Sequence, residues 1–432
     1  MTKRVKKLRF ETKCVQCGYE PHNGEPRVLP IVQSTTYKYD TADAMGALFD
    51  LKANGFFYTR LANPTVDAVE KKIAALEGGV CAVMTSSGQA ASTFSVLNIC
   101  KAGDHVVCSS AIYGGTYNLF NKTLRDLGID FTFVNPDISD EALDAAFRDN
   151  TKCVFGETIS NPSLDVLDIE RFANAAHRHG VPLIVDNTFA TPANCRPFEF
   201  GADIVTHSTT KYMDGHACAL GGVVVDGGRF DWIASGKFPM LTEPDESYHG
   251  VTYTKSFGNA AYGVKMRTHL MRDLGSMQSP QNAFLLNIGL ETLFLRMERH
   301  CSNAKKVAEF LESLIKSGKI TWVNYPDLES NKYHALVKKY LPKGSCGVIS
   351  FGVAGGREGA IRFMESLKLA AIVTHVADAR TCVLHPASTT HRQLSDRELE
   401  ECGVTPDLIR LSVGIENVDD IIEDIAGALE NI

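Results

Sequence analysis

No window of the sequence comes near the ~18 consecutive apolar residues of a membrane-spanning helix, so a spanning segment is not expected. The basic stretch Arg4-Val5-Lys6-Lys7-Leu8-Arg9 leads into no apolar run, so it does not read as a secretory signal. Net positive charge is missing as well. Lys and Arg number 44 against 51 Asp and Glu, a formal charge of −7, which argues against nucleic acid or an anionic membrane as the main partner. Repeats and low-complexity tracts are absent, and no segment follows the Walker or Gly-x-Gly-x-x-Gly pattern, so nucleotide binding gets little support. Metal-ligand spacing is sparse too. Among 12 cysteines, Cys14-Val15-Gln16-Cys17 is the one CxxC, and no second pair completes a zinc site; no metal is expected. Other thiols sit in apolar runs such as Lys152-Cys153-Val154-Phe155, where they read as small core residues of a reduced, cytoplasmic chain.

What is present is a chain of 432 residues, 44% hydrophobic, long enough for one large domain and one or two small ones. Residues 1–64 lack a clean period and hold Pro21, Pro26 and Pro30, which suits an arm. From Thr65, a candidate helix cap, a helical period runs through Val66, Val69, Ile73 and Leu76 and stops at Gly78-Gly79. Short apolar runs then alternate with helical stretches: Val80–Met84, His105–Cys108, Asp130–Val134, Cys153–Phe155, Pro182–Val185, Asp203–Val205 and Gly222–Val225. Runs such as Leu183-Ile184-Val185 are apolar at consecutive positions, as in parallel strands covered on both faces by helices. The expected class is therefore α/β across about 65–230, with a mostly parallel sheet. Residues 281–316 fit one long bridging helix, through Phe284, Leu285, Ile288, Leu290, Leu293, Leu295 and Met297. Shorter pieces after it (strands at 347–353 and 408–413, helices at 359–369 and 418–429) suggest a smaller C-terminal α+β domain within 281–432.

The segment richest in chemistry is Asp203-Ile204-Val205-Thr206-His207-Ser208-Thr209-Thr210-Lys211-Tyr212. A strand runs into hydroxyl residues, which can hold a phosphate, and then into a lysine, which can form a Schiff base when partly desolvated. Alone, this pattern is more often a solvated loop lysine beside a Ser/Thr turn. Three further segments change the balance. Pro182-Leu183-Ile184-Val185-Asp186 ends a buried strand in a carboxylate, at the strand end where α/β sheets bind ligands. Such an Asp can pair with a protonated pyridine nitrogen. Thr85-Ser86-Ser87-Gly88-Gln89-Ala90 is a small-residue turn into a helix start, a place for an anion. Ala111-Ile112-Tyr113-Gly114-Gly115 sets an aromatic beside glycines, where a planar group could stack.

The Lys211 segment, with its Gly215-His216 tail, resembles the signature of the pyridoxal-phosphate enzymes of cysteine and methionine metabolism. The likeness runs from about Tyr58 to Glu416. Within that family, Ser86–Ala91, Tyr113–Asn118, His385-Pro386-Ala387-Ser388-Thr389-Thr390-His391 and Leu408–Gly414 are most similar to the branch that exchanges the γ-acyloxy group of O-acetylhomoserine for sulfide or a small thiol. The resemblance implies an aspartate-aminotransferase-like fold of type I: an arm at 1–64, a large cofactor domain at 65–280, and a bridging helix and small domain at 281–432. It also implies a homotetramer built as a dimer of active dimers.

Carried over by residue, the likeness makes Lys211 the Schiff-base lysine and proton shuttle. Asp186 is the partner of the pyridine nitrogen and Tyr113 the stacking ring. Gly88, Gln89, Ser208 and Thr210 are the phosphate holders, and Asn161 faces the ring oxygen. Tyr58 and Arg60 reach the phosphate of a neighbouring subunit. Arg410 clamps the substrate carboxylate, with His375 as a secondary neighbour. A lone arginine in an apolar strand is costly unless it meets an anion, which agrees with that role. The chain departs from the family at two places. Gly115 stands where the γ-lyases carry cysteine, and His375-Val376-Ala377-Asp378 stands where the replacement enzymes usually read Asn-Val-Gly-Asp. Cystathionine synthesis and γ-elimination remain the alternatives within the family.

Overall fold

A computed structural model describes residues 7–389, 392 and 404–432. Arg4 to Lys6 of the basic start, Thr390 and His391 of the His385 segment, and Cys402 lie outside the described residues. Among the described residues the chain forms two sheets. The larger contains β1 (Cys81–Thr85), β2 (His105–Ser109), β3 (Asp130–Val134), β4 (Thr151–Glu157), β5 (Leu183–Asp186), β6 (Ile204–His207) and β7 (Gly222–Asp226), in the order β1-β7-β6-β5-β4-β2-β3. β7 runs antiparallel to both its neighbours, and the pairs from β6 through β3 are parallel.

Alternate residues of the central strands enter two different cores. Val154, Leu183, Val185 and Val205 pack on one face with helix α1 (Pro64–Glu77). Cys153, Phe155, Ile184 and Ile204 pack on the other, with Phe94 of helix α2 (Gly88–Leu97). Both faces are covered, which is why these strands carry no polar alternation.

The entry to α1 differs from the sequence expectation. Asn63, not Thr65, is the cap: its side chain accepts the Thr65 N–H at 2.9 Å, and Pro64 occupies the first helical position, where a missing N–H costs nothing. The Thr65 hydroxyl instead ties down the arm, donating to the Pro30 carbonyl at 2.7 Å and accepting the Val32 N–H at 2.8 Å. Gly78 ends the helix at φ 84°. Arm residue Cys14 is wholly buried, and burial pushes its thiol up to about 12.

The long helix expected over 281–316 is two helices. One spans Pro280–Glu291 and the next Leu293–Ser313, with Thr292 at φ −109° and ψ 7° between them. The carbonyl of Gly289, which a continuous helix offers to residue 293, receives the Thr292 N–H and the Arg296 guanidinium, the latter at 2.7 Å. Arg296 also donates to the Thr292 hydroxyl at 3.2 Å and to the Tyr212 carbonyl at 2.7 Å. Leu290, Leu293 and Met297 still face the core, whereas Ile288 and Leu295 are exposed.

The second sheet has the order β10-β11-β12-β9-β8, from β8 (Ile320–Asn324), β9 (Val348–Val353), β10 (Ala371–Ile372), β11 (Cys382–Leu384) and β12 (Leu408–Ser412). Its core sets Ile349, Phe351, Ile409 and Leu411 against Val307 and Leu311 of the 293–313 helix and Ile421 and Ile425 of the Val418–Ala428 helix.

Candidate active site

Three parallel strands end together in polar groups: Glu157 on β4 is in register with Asp186 on β5, and Asp186 with Thr206 on β6. Thr188 locks the middle one in place. Its N–H donates to Asp186 Oδ1 at 3.0 Å, its hydroxyl donates to the same oxygen, and it accepts the Ser208 N–H at 2.9 Å. One threonine thus joins the carboxylate to the turn that carries Lys211. Burial raises the Asp186 carboxyl above its ordinary range, against the opposing pull of Thr188 and His207.

Glu157 is buried beside it and rises further, through burial first and the Asp186 charge second. Its Oε1 accepts the Tyr113 N–H at 2.7 Å. Glu157 is buried and Asp186 partly so, and two carboxylates in register in such a place do not both ionise readily.

Lys211 follows the turn Ser208-Thr209-Thr210, its N–H donating to the Ser208 carbonyl at 3.2 Å. Burial, with the Arg410 charge nearby, brings its amine down to about 8. Nζ lies 3.4 Å from His375 Nδ1.

Arg410 enters from β12 of the second sheet and is buried. It donates to Asn161 Oδ1 and to the Thr374 carbonyl, each at 3.2 Å, and its Nε is buried without a partner. Among the described residues no carboxylate pairs with it. A buried guanidinium held by neutral acceptors, with a donor to spare, is suited to an incoming anion.

The expected phosphate holders are only partly assembled in the single chain. Gly88 and Ser208 touch closely enough that a Cβ on Gly88 would lie 2.5 Å from that of Ser208, so glycine is required where helix α2 begins. Gln89 accepts the Thr116 hydroxyl at 3.1 Å. The Thr210 hydroxyl is engaged with Gly221, accepting its N–H at 3.0 Å and donating to its carbonyl at 3.1 Å. Tyr113 is 48% exposed, its ring open to a ligand. Tyr58 and Arg60 are not drawn into this group. The Arg60 guanidinium sits 5.0 Å from the Tyr58 ring centre and donates to the Arg272 carbonyl.

A family model for Cys/Met metabolism PLP-dependent enzymes matches residues 11–430. The chain belongs to this family. It is 49% identical over 429 residues to a homocysteine synthase from Schizosaccharomyces pombe, covering 99% of each. It is 46% identical to an O-acetyl-L-homoserine sulfhydrylase from Leptospira meyeri, covering 98% of this chain and 97% of that one. Among solved structures, one named for an O-acetylhomoserine (thiol)-lyase from Campylobacter jejuni superposes with a TM-score of 0.92 at 37% identity, covering 98% of this chain and 100% of that one; it carries N'-pyridoxyl-lysine-5'-monophosphate. The fold is that of the family's type I pyridoxal-phosphate enzymes, and pyridoxal phosphate is the cofactor. The site suits it: among the described residues no cation pairs with Glu157 or Asp186, which leaves room there for a protonated ring nitrogen, and the Gly88–Ser208 approach leaves a helix start clear of side chain.

Three residues escaped the sequence reading. Glu157 ends an apolar run just as Asp186 does, so the same strand-end pattern marks it. His207 and Glu77 form a fully buried pair, Nε2 to Oε1 at 2.5 Å, that joins the end of α1 to the residue before Ser208. That pairing spans 130 residues, and no local pattern announces it.

Ala377 of the departing tetrapeptide has φ 67°, the left-handed region where the family's usual glycine is unstrained. Left-handed strain of roughly 1–2 kcal/mol offsets the backbone entropy (~0.4–1 kcal/mol) and the buried methyl (~0.8 kcal/mol) lost on substitution. Ala377→Gly is therefore expected to leave stability nearly unchanged, as read by urea midpoint. A loss of about 2 kcal/mol, ordinary for a buried Ala→Gly without strain, would contradict this account.

Proposed function

We propose that this chain catalyses γ-replacement on O-acetyl-L-homoserine, with sulfide giving L-homocysteine and acetate, and with a small thiol such as methanethiol giving methionine. The observation that carries this reading is the convergence of Lys211, Arg410 and the Asp186–Glu157 pair in a chain 49% and 46% identical, end to end, to a homocysteine synthase and an O-acetyl-L-homoserine sulfhydrylase. Bound here, pyridoxal phosphate supplies an imine-forming aldehyde and an electron sink for the Cα carbanion. Lys211 would hold it and carry protons, Asp186 would face the ring nitrogen, and Tyr113 would cover the ring. Gly88, Gln89, Ser208 and Thr210 would surround the phosphate, and Asn161 the ring oxygen. Arg410, already bonded to Asn161, would place the substrate carboxylate beside it.

Gly115 supports replacement over methionine γ-lyase activity. A Cβ there would lie 2.5 Å from the Tyr113 ring and 3.1 Å from the Gln89 amide, so the tyrosine fills the space a cysteine would need. Supplying O-acetylhomoserine with sulfide, O-acetylhomoserine with cysteine, and methionine alone decides the matter. We expect homocysteine in the first mixture to form much faster than cystathionine in the second or 2-oxobutyrate and ammonia in the third. Dominant methionine cleavage would move the chain to the lyases, and dominant cystathionine formation to the cystathionine synthases.

The division 1–64, 65–280 and 281–432 belongs to the same proposal. So does a homotetramer of active dimers in which Tyr58 and Arg60 complete the neighbour's phosphate site. Exposed Val28, Ile31 and Phe49 on the arm, together with Tyr58, support a subunit contact there. The described cysteines are all free and no helix among the described residues is long and apolar enough to cross a membrane, which supports a cytoplasmic placement.

A further inference from the structure

Three polar side chains stand in one row across the second sheet. Asn324 on β8 is in register with Ser350 on β9, and Ser350 with Arg410 on β12. Cross-strand partners share one face of a sheet. The chain neighbours Ile349, Phe351, Ile409 and Leu411 fill the core on the other face. Ser350 and Arg410 are nonetheless only 1% and 7% exposed, and what meets the row is the loop after β4. Each side chain donates to one loop residue in turn: Arg410 to Asn161 Oδ1 at 3.2 Å, Ser350 Oγ to the Pro162 carbonyl at 2.8 Å, and Asn324 Nδ2 to the Ser163 carbonyl at 2.6 Å. Arg410 has a carboxylate to hold. Ser350, buried between Ile349 and Phe351, has no such task.

The loop is closed on itself. The Leu164 N–H donates to the Ser160 carbonyl at 3.1 Å, the Asp165 N–H to Ser160 Oγ at 2.9 Å, and the Ser160 and Ser163 hydroxyls meet at 2.7 Å. The Asn161 N–H is turned to the buried Glu157 carboxylate. A shift of the Pro162 carbonyl is therefore carried to its neighbour Asn161. Arg410 occupies Asn161 Oδ1, which leaves Nδ2 as the end of that amide able to donate to a ring oxygen.

We propose that Ser350 is a positioning residue: by holding the Pro162 carbonyl it sets the Asn161 amide between the cofactor's ring oxygen and Arg410. One hydroxyl that touches neither cofactor nor substrate thus aligns a partner of each. The inference deepens the proposed function and rests on its placement of Asn161 at the ring oxygen.

The test titrates the visible band of the holoenzyme against pH, with no substrate present. The ring oxygen is most negative when the imine nitrogen of Lys211 has lost its proton, so an amide donating to that oxygen favours the deprotonated form and lowers the midpoint. Asn161→Ala should raise the midpoint by on the order of one pH unit, and Ser350→Ala should raise it by roughly half as much. Added to Asn161→Ala, Ser350→Ala should raise it no further, since the serine acts through the asparagine. Ser350→Ala should also raise KM for O-acetylhomoserine several-fold, because Arg410 loses a fixed partner. Ile349→Val removes a methyl from the core face of the same strand; it should lower the melting temperature and leave the midpoint in place. If Ser350→Ala fails to load cofactor, Asn324→Ala, at the partly exposed end of the row, takes its place in the same comparison. A midpoint in the loaded variant equal to that of the unaltered enzyme, or additive shifts in the double variant, overturns the proposal. An unmoved midpoint in Asn161→Ala removes Asn161 from the ring oxygen and overturns that placement as well. Failure of the γ-replacement reading shows separately, as no homocysteine from O-acetylhomoserine and sulfide, and leaves the band shifts standing.

Discussion

Replacing Lys211 by arginine is expected to lower turnover of O-acetylhomoserine on the order of 10⁴-fold or more, because one substitution removes both the imine-forming amine and the proton carrier. Arginine keeps the positive charge, so the loss would report chemistry and not electrostatics. A lowered amine does not by itself identify the reactive lysine here. Burial brings Lys265 to about 8 as well, yet its Nζ donates to the Asn98 carbonyl at 2.9 Å and is spent on that turn. Borohydride reduction of the holoenzyme followed by peptide mapping should therefore place the pyridoxyl group on Lys211; a label on Lys265 would sink the assignment. The pH dependence has a definite sign. Only the neutral amine attacks an aldehyde, so uptake of pyridoxal phosphate by the cofactor-free chain should accelerate as pH rises through about 8, the midpoint of Lys211.

Arg410→Ala is expected to lower kcat/KM for O-acetylhomoserine by roughly ten- to a hundredfold, the equivalent of a charge-assisted pair of about 1.5–3 kcal/mol. Cofactor affinity should fall much less than kcat/KM, since Arg410 lies away from the phosphate holders at the start of α2 and meets the cofactor's surroundings only through Asn161. Arg410→Lys should recover little, because a point charge cannot satisfy Asn161, the Thr374 carbonyl and a carboxylate together. A silent Arg410→Ala, or one that sheds the cofactor, would move this arginine out of the substrate site.

Much of this was readable from local chemistry. Strands apolar at consecutive positions predicted a sheet covered on both faces, and Val185 and Ile184 do enter separate cores. Lys211, Asp186 and Tyr113 were legible because each lies at the end of such a strand or just past it. Thr65 misled because propensity alone cannot choose between it and Asn63; Pro64 at the first helical position decides. The helix over 281–316 kept its apolar period across a break at which Arg296 takes the nearby Gly289 carbonyl and also the Tyr212 carbonyl, which is distant in sequence. His375 was placed near the substrate carboxylate by analogy, and its contact with Lys211 became visible only when the small-sheet loop and the large-sheet turn were brought together.

The break at Thr292 would be an inviting place to cut the chain for expression as two fragments, since it falls between two helices. The guanidinium of Arg296 makes it a poor choice. Arg296 grips the carbonyls of Tyr212 and Gly289 from the far side of the cut, and Gly215 leaves no room for a side chain against it. A fragment ending at 291 would contain Lys211, Asp186 and Tyr113 but not the clasp over the turn that bears the lysine. That fragment is thus not an autonomous module: its reactive turn is finished by a residue translated after it, and a nascent chain cannot complete that turn until the start of the second helix has left the ribosome.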